Sequence, residues 1–175
     1  AANNTLYFSG ADATTGAELW KSDGTTAGSG VVKDIVAGPD GAYPAIATNV
    51  GGVLYFFDNL QTGGGLWRSD GTAAGTTLVK PLNQGGIFLS LNNFVPFAAY
   101  NWHGTLYLSA EDGQSLADSD SQAGYEVWKS DGTAAGTVLV KDINTITNNS
   151  YPDQLTMVGN SLYFLAQDPV NAQEL

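Results

Sequence analysis

Cysteine is absent from these 175 residues, so neither a disulfide nor a thiolate metal site can form. That absence fits an extracellular bacterial protein and a cytosolic one equally well. Histidine occurs once, at His103, so no zinc site can use two imidazoles, and a histidine-based triad would depend on that single residue. Positive charge is scarce. Six Lys and Arg stand against 17 Asp and Glu, for a formal net charge of −11. Such a surface repels phosphate backbones and anionic lipid, so neither nucleic-acid binding nor membrane insertion is expected. It favours cations and basic partners instead. No apolar run approaches the ~20 residues that span a bilayer. No stretch shows helical periodicity, and the opening Ala1-Ala2-Asn3 carries no signal-peptide pattern.

What the chain has is repetition. Trp-Lys/Arg-Ser-Asp-Gly-Thr-x-Ala-Gly occurs from Trp20, from Trp67 and from Trp128. Each copy runs into an apolar stretch that ends in Lys33, Lys80 or Lys141, and Trp to Lys is 13 residues every time. A second anchor, Leu-Tyr-Phe/Leu, begins at Leu6, Leu54, Leu106 and Leu162. Pro44, Pro96 and Pro152 each stand 10 residues before one of these leucines. Between the fixed segments the spacing varies. Leu to Trp is 14, 13 and 22 residues, and Lys to Pro is 11, 16 and 11.

Each fixed segment reads as a β-hairpin, short and rich in Val, Leu, Tyr, Phe and Thr between turn residues. The first turns at Gly51-Gly52, His103-Gly104 or Gly159-Asn160, the second at Ser-Asp-Gly-Thr. The four strands per repeat are a, b, c and d. Strand b is apolar on successive residues (Leu54-Tyr55-Phe56-Phe57), so it is expected to be covered on both faces. The fold class expected is all-β, built of four-stranded antiparallel β-propeller blades, with a solenoid as runner-up. As a single repeat domain over 1–175, the chain would hold about three and a half blades. These are a partial blade 1–36 (strands b to d), a blade 43–82, a blade 94–143, and a partial blade 151–175 with strands a and b and the start of c. A larger or oligomeric ring is the expectation that follows.

The segments Glu18–Thr25 and Glu126–Thr133, with Ala135–Ile143 downstream, resemble the bacterial ELWxxDGT repeat family. The second copy departs from the pattern at Gly65, where Glu is usual, and at Pro81. The resemblance implies a propeller-like fold in large secreted or cell-surface bacterial proteins. It implies no established activity and carries over no catalytic residues.

The motif residues have a structural expectation. Trp20, Trp67 and Trp128 wedge between blades rather than stack on sugars. Asp23-Gly24, Asp70-Gly71 and Asp131-Gly132 close tight c–d turns. Glu18 and Glu126 share a face with the Trp two residues on, and if buried need as partner either the motif Lys or Arg or a backbone turn in the next blade. The candidate binding residues are in the loops. In an up-and-down blade, b–c and d–a loops share one face, and all the length variation lies there, in Glu111–Tyr125 and Asn83–Val95, the latter tipped by the apolar Gly85–Asn93. That face would carry Glu111, Asp112, Asp118, Asp120, Tyr125 and Phe88. Asp12, Asp112 and Asp168 each lie six residues after a strand-b Leu. The spacing Asp118-x-Asp120 suits a calcium ion, the one candidate cofactor, although Gln122 and Ala123 depart from a calcium loop. Trp102 stands where other copies have Val50 and Val158, as an exposed contact or a packing substitution. The expected function is a non-catalytic binding or structural module in adhesion or surface assembly. Its partners would be a surface protein or glycan, other blades, or its own copies. A carbohydrate-binding lectin is the alternative, and a propeller glycosidase or lyase comes third.

Overall fold

The computed structural model describes residues 1–58, 64–82, 99–110, 125–145 and 149–170, and of Ile46 and Ala47 the backbone alone. Among the described residues there is no helix. Strands β1 (Leu6–Asp12), β2 (Gly16–Ser22) and β3 (Gly30–Lys33) form a three-stranded sheet. Strands β4 (Ala45–Val50), β5 (Val53–Asp58), β6 (Gly65–Ser69) and β7 (Thr77–Pro81) form a four-stranded one. So do β8 (Ala99–Trp102), β9 (Thr105–Ala110), β10 (Glu126–Ser130) and β11 (Val138–Lys141). Strands β12 (Asp153–Val158) and β13 (Ser161–Leu165) make a two-stranded sheet. Within each sheet, consecutive strands are neighbours and pair antiparallel. The chain divides into two compact units, Ala1–Lys80 and Pro81–Leu175.

The a–b turns are set by residues that accept positive φ. Gly51 and Gly52 lie at φ 61° and 88°, and His103 and Gly104 at 48° and 81°, which is the two-residue I′ geometry. At Gly159-Asn160 only the glycine is positive, as a II′ turn requires. A fourth such turn precedes β1. Asn3 and Asn4 have φ 50° and 58°, and Ala2 and Thr5 exchange two backbone bonds of 3.0 and 2.9 Å. An isolated bridge and its turn therefore precede β1. Asn tolerates the left-handed region almost as glycine does.

In the first unit the two sheets pack face to face. Leu19 and Val32 of the first sheet meet Leu54 and Phe56 of the second, with Tyr7, Ile35 and Trp67 against them. Strand b is covered on both faces in β5, as expected, but not in β1 or β13, where most side chains are exposed or half-buried. In the second unit, Leu106, Leu108, Val127 and Trp128 are buried.

Candidate functional site

The Ser-Asp-Gly-Thr turns are bonded in the same way three times. Asp23 Oδ1 accepts the N–H and hydroxyl of Thr25 at 2.9 and 2.7 Å. Asp70 does so from Thr72 (2.8 and 2.7 Å) and Asp131 from Thr133 (2.8 Å each). Each Thr hydroxyl in turn accepts the N–H of the motif's last glycine, at 2.9–3.0 Å. The motif Ser accepts the N–H of the first glycine, at 3.0–3.1 Å, and its hydroxyl meets that of Ser29, Thr76 or Thr137. Gly24, Gly71 and Gly132 sit at φ 92°, 89° and 90°. A Cβ on Gly75 would strike the Asp70 carboxylate at 2.1 Å, which explains the last glycine. The Thr hydroxyl and then the Thr N–H hold all three carboxyls below the usual Asp range.

Glu18 and Glu126 are both 0% exposed. Their partners come from the chain that follows strand d, not from the motif lysine. Glu18 Oε1 accepts the N–H groups of Val36 and Ala42, each at 3.0 Å. Glu126 uses both oxygens: Oε2 accepts from the Ser150 hydroxyl at 2.6 Å and Ile143 N–H at 3.2 Å, and Oε1 from Asn144 N–H at 3.4 Å. Burial raises both pKa values, and these donors offset it in part. Each Glu thus pins the d–a connection to the start of strand c.

The motif lysine of the first repeat reaches across the sheet joint instead. Lys21 Nζ donates to Gly71 O at 2.7 Å, and Lys33 Nζ to Thr76 O at 2.8 Å. Lys33 also lies over the Trp67 ring, 5.8 Å from its centroid. Trp67 stacks on Phe56 (6.3 Å, 22°) inside that joint. These donor–acceptor pairs are 43 and 50 residues apart, and no local spacing announces them.

Tyr43 and Tyr151, each followed by proline, adopt φ 50° and 47°. A bulky side chain at positive φ is an outlier, and here it recurs at one repeat position. A Tyr-Pro pair seen twice in the sequence was the available signal.

Of the candidate binding residues, Glu111, Asp112, Asp118, Asp120 and Phe88 lie outside the described residues. Tyr125 is buried, stacks on Tyr151 (6.0 Å, 23°), and offers its carbonyl to the N–H and hydroxyl of Ser150. Asp12 caps its own b–c turn by accepting Thr14 and Thr15 N–H at 2.7 and 2.8 Å. Those two backbone bonds lower its pKa. Asp168 accepts Val170 N–H at 2.7 Å. Half-buried Trp102 packs on Tyr107 and His103, both at 5.5 Å. No group of three or more potential metal-ligating side chains exists among the described residues. Comparisons with protein-family models, curated proteins and solved structures found no match.

Proposed function

We propose that the sheets are β-propeller blades, and that the chain is a non-catalytic binding or structural module of a secreted or cell-surface bacterial repeat protein. One observation carries this reading. The side chains that recur in each repeat are engaged in holding the repeat together. The Asp, Thr and Ser of the turn bond to one another, and Glu18 and Glu126 hold the connecting chain. In the first unit Trp67 and Lys33 fill the joint between sheets. Repetition of that kind maintains a scaffold, and the variable loops it presents are the natural place for recognition. The resemblance to the ELWxxDGT repeat family supports the setting, and so does the acidic surface.

The test is a loop exchange. Replacing 110–124 with the short b–c connection of 58–65 should leave the β-type circular dichroism intact and abolish binding to cell-surface protein or glycan arrays. Binding that survives the exchange but is lost in Trp102→Ala would move the site to the opposite ends of the strands. Calcium belongs to the same loop. Asp118→Asn with Asp120→Asn should remove any calcium-induced rise in melting temperature. Release of products from polysaccharides would favour the glycosidase or lyase reading instead.

A further inference from the structure

An Asp-Gly pair is open to one spontaneous reaction. The glycine nitrogen attacks the aspartate Cγ. A C–N bond forms, the Cγ–O bond breaks, and the hydroxyl of the neutral acid leaves as water with the amide proton. Water then opens the five-membered imide at either carbonyl. One opening restores aspartate; the other leaves isoaspartate, whose backbone runs through Cβ and Cγ. Glycine favours the attack because it has no Cβ to block the approach. The chain has five such pairs, at Asp23, Asp40, Asp70, Asp112 and Asp131, of which Asp112 lies outside the described residues.

The four described aspartates are all exposed, so exposure does not separate them. Bonding does. In the motif turns both reactants are held. The nucleophile, the N–H of Gly24, Gly71 or Gly132, donates to the motif Ser hydroxyl. The electrophile's Oδ1 takes two bonds from Thr25, Thr72 or Thr133. Those Thr bonds also lower the carboxyl pKa and keep the group ionised, whereas the neutral acid is the form that loses water. A hydrogen bond that must open first slows the attack about fivefold, and three together roughly a hundredfold. Asp40-Gly41 has none of them. Neither the Asp40 carboxylate nor the Gly41 N–H has a hydrogen-bond partner among the described residues.

We propose that Asp40 is a site of spontaneous isoaspartate formation, and that the motif turns protect Asp23, Asp70 and Asp131 from the same reaction. Packing slows Asp40 without stopping it. Gly41 is buried at φ 70°, and a Cβ there would meet Ala17 N at 2.2 Å. The rates therefore fall in the order unfolded chain, Asp40, motif aspartates. The product alters the fold locally. Asp40 lies between Val36 and Ala42, whose N–H groups Glu18 holds, and isoaspartate puts one more carbon into the backbone between them. The added length displaces the Ala42 N–H from Glu18 and the Tyr43 N–H from Ala17 O. It also exposes a new α-carboxylate, the group that an isoaspartyl methyltransferase esterifies.

The test is an ageing experiment on the full chain carrying Asp112→Glu, since glutamate would have to close a six-membered imide and reacts far more slowly. The protein is kept for weeks at neutral pH, below its melting temperature, and digested with trypsin. Trypsin cuts after Lys and Arg but not before proline, so the four remaining pairs fall in separate peptides, 22–33, 34–68, 69–129 and 130–141. Methyl transfer from S-adenosylmethionine by an isoaspartyl methyltransferase, with fragment masses, reads isoaspartate in each. Peptide 34–68 should carry at least about tenfold more than any of the other three. Asp40→Glu should abolish that signal. Ser22→Ala with Thr25→Ala should raise peptide 22–33 at least about tenfold. Thr25→Ala alone repeats this arm if the double variant loses the wild-type circular dichroism spectrum. Peptide 34–68 no richer than the motif peptides overturns the proposal, and so does a signal there that survives Asp40→Glu. Peptide 22–33 unchanged in the folded variant overturns the protective role of the turns.

Discussion

At Gly71 two constraints converge on one missing atom. Its φ of 89° strains any β-branched residue, and the Tyr7 hydroxyl occupies the Cβ position. Gly71→Val should therefore cost about 1–3 kcal/mol, read as a lowered melting temperature. The buried glutamates are bonded differently. Glu18 accepts Val36 and Ala42 N–H on one oxygen and its Oε2 is buried without a hydrogen-bond partner, so Glu18→Gln keeps both bonds but buries an NH₂ with no acceptor and should cost about 1–3 kcal/mol. Glu126 accepts on both oxygens, so Glu126→Gln sets an NH₂ against an N–H or hydroxyl donor and should cost about 1–3 kcal/mol. The pH dependence follows from burial. Both folded-state pKa values lie above the unfolded 4.5, so the folded form holds its protons longer. The stability this gives is complete below pH 4.5 and is lost as the pH rises through the folded pKa. Glu18→Gln has nothing to ionise there, so its melting temperature relative to wild type should rise across that window. At this scale the turn chemistry was legible, because Asp-Gly-Thr bonds are local. The partners of Glu18 were narrowed to a lysine or a backbone turn, and backbone prevailed because its N–H groups arrive with the chain and need no second desolvated charge.

The hairpins show how far spacing alone carries. Fixed Pro-to-Leu and Trp-to-Lys lengths located the strand pairs, since a two-residue turn and a constant register leave no slack. The turn at Asn3-Asn4 obeys the same rule. It stands three and two residues before Leu6, as Gly51-Gly52 does before Leu54, but Asn-Asn is a weaker signal than Gly-Gly. Gly51 sits at φ 61° with open space around its Cβ position. Gly51→Asn should hold the same turn while restricting the unfolded chain, raising stability by about 0.4–1 kcal/mol in a thermal melt. The left-handed tyrosines were not legible. Tyr43 N–H bonds Ala17 O at 2.9 Å, so the connection folding back on strand c imposes that backbone, and tertiary contacts have no local signature.

Across the whole molecule, repetition made the sheets readable, while the bonds that join one sheet to the next were not. Lys33 shows why: its acceptor is a carbonyl 43 residues on, chosen by how two faces meet. Lys33→Met should leave Thr76 O unbonded and cost about 1.5–3 kcal/mol, whereas exposed Lys129→Met should change stability by less than about 0.5 kcal/mol. A chemical denaturation series on both variants checks the difference. Apart from Tyr125, the candidate recognition residues are outside the described residues, and composition gave little more than their charge. Within each sheet every strand pairs with its neighbour in sequence. A chain pulled from its two ends loads such hairpins as a zipper, one rung at a time, and never shears a row of bonds together. Stretched between a surface and a cantilever, the protein should yield at low force in discrete events. The 47 residues from Trp20 to Trp67 set the stride, since at ~3.4 Å each they release roughly 160 Å of slack. Under load such a chain should lengthen one repeat at a time.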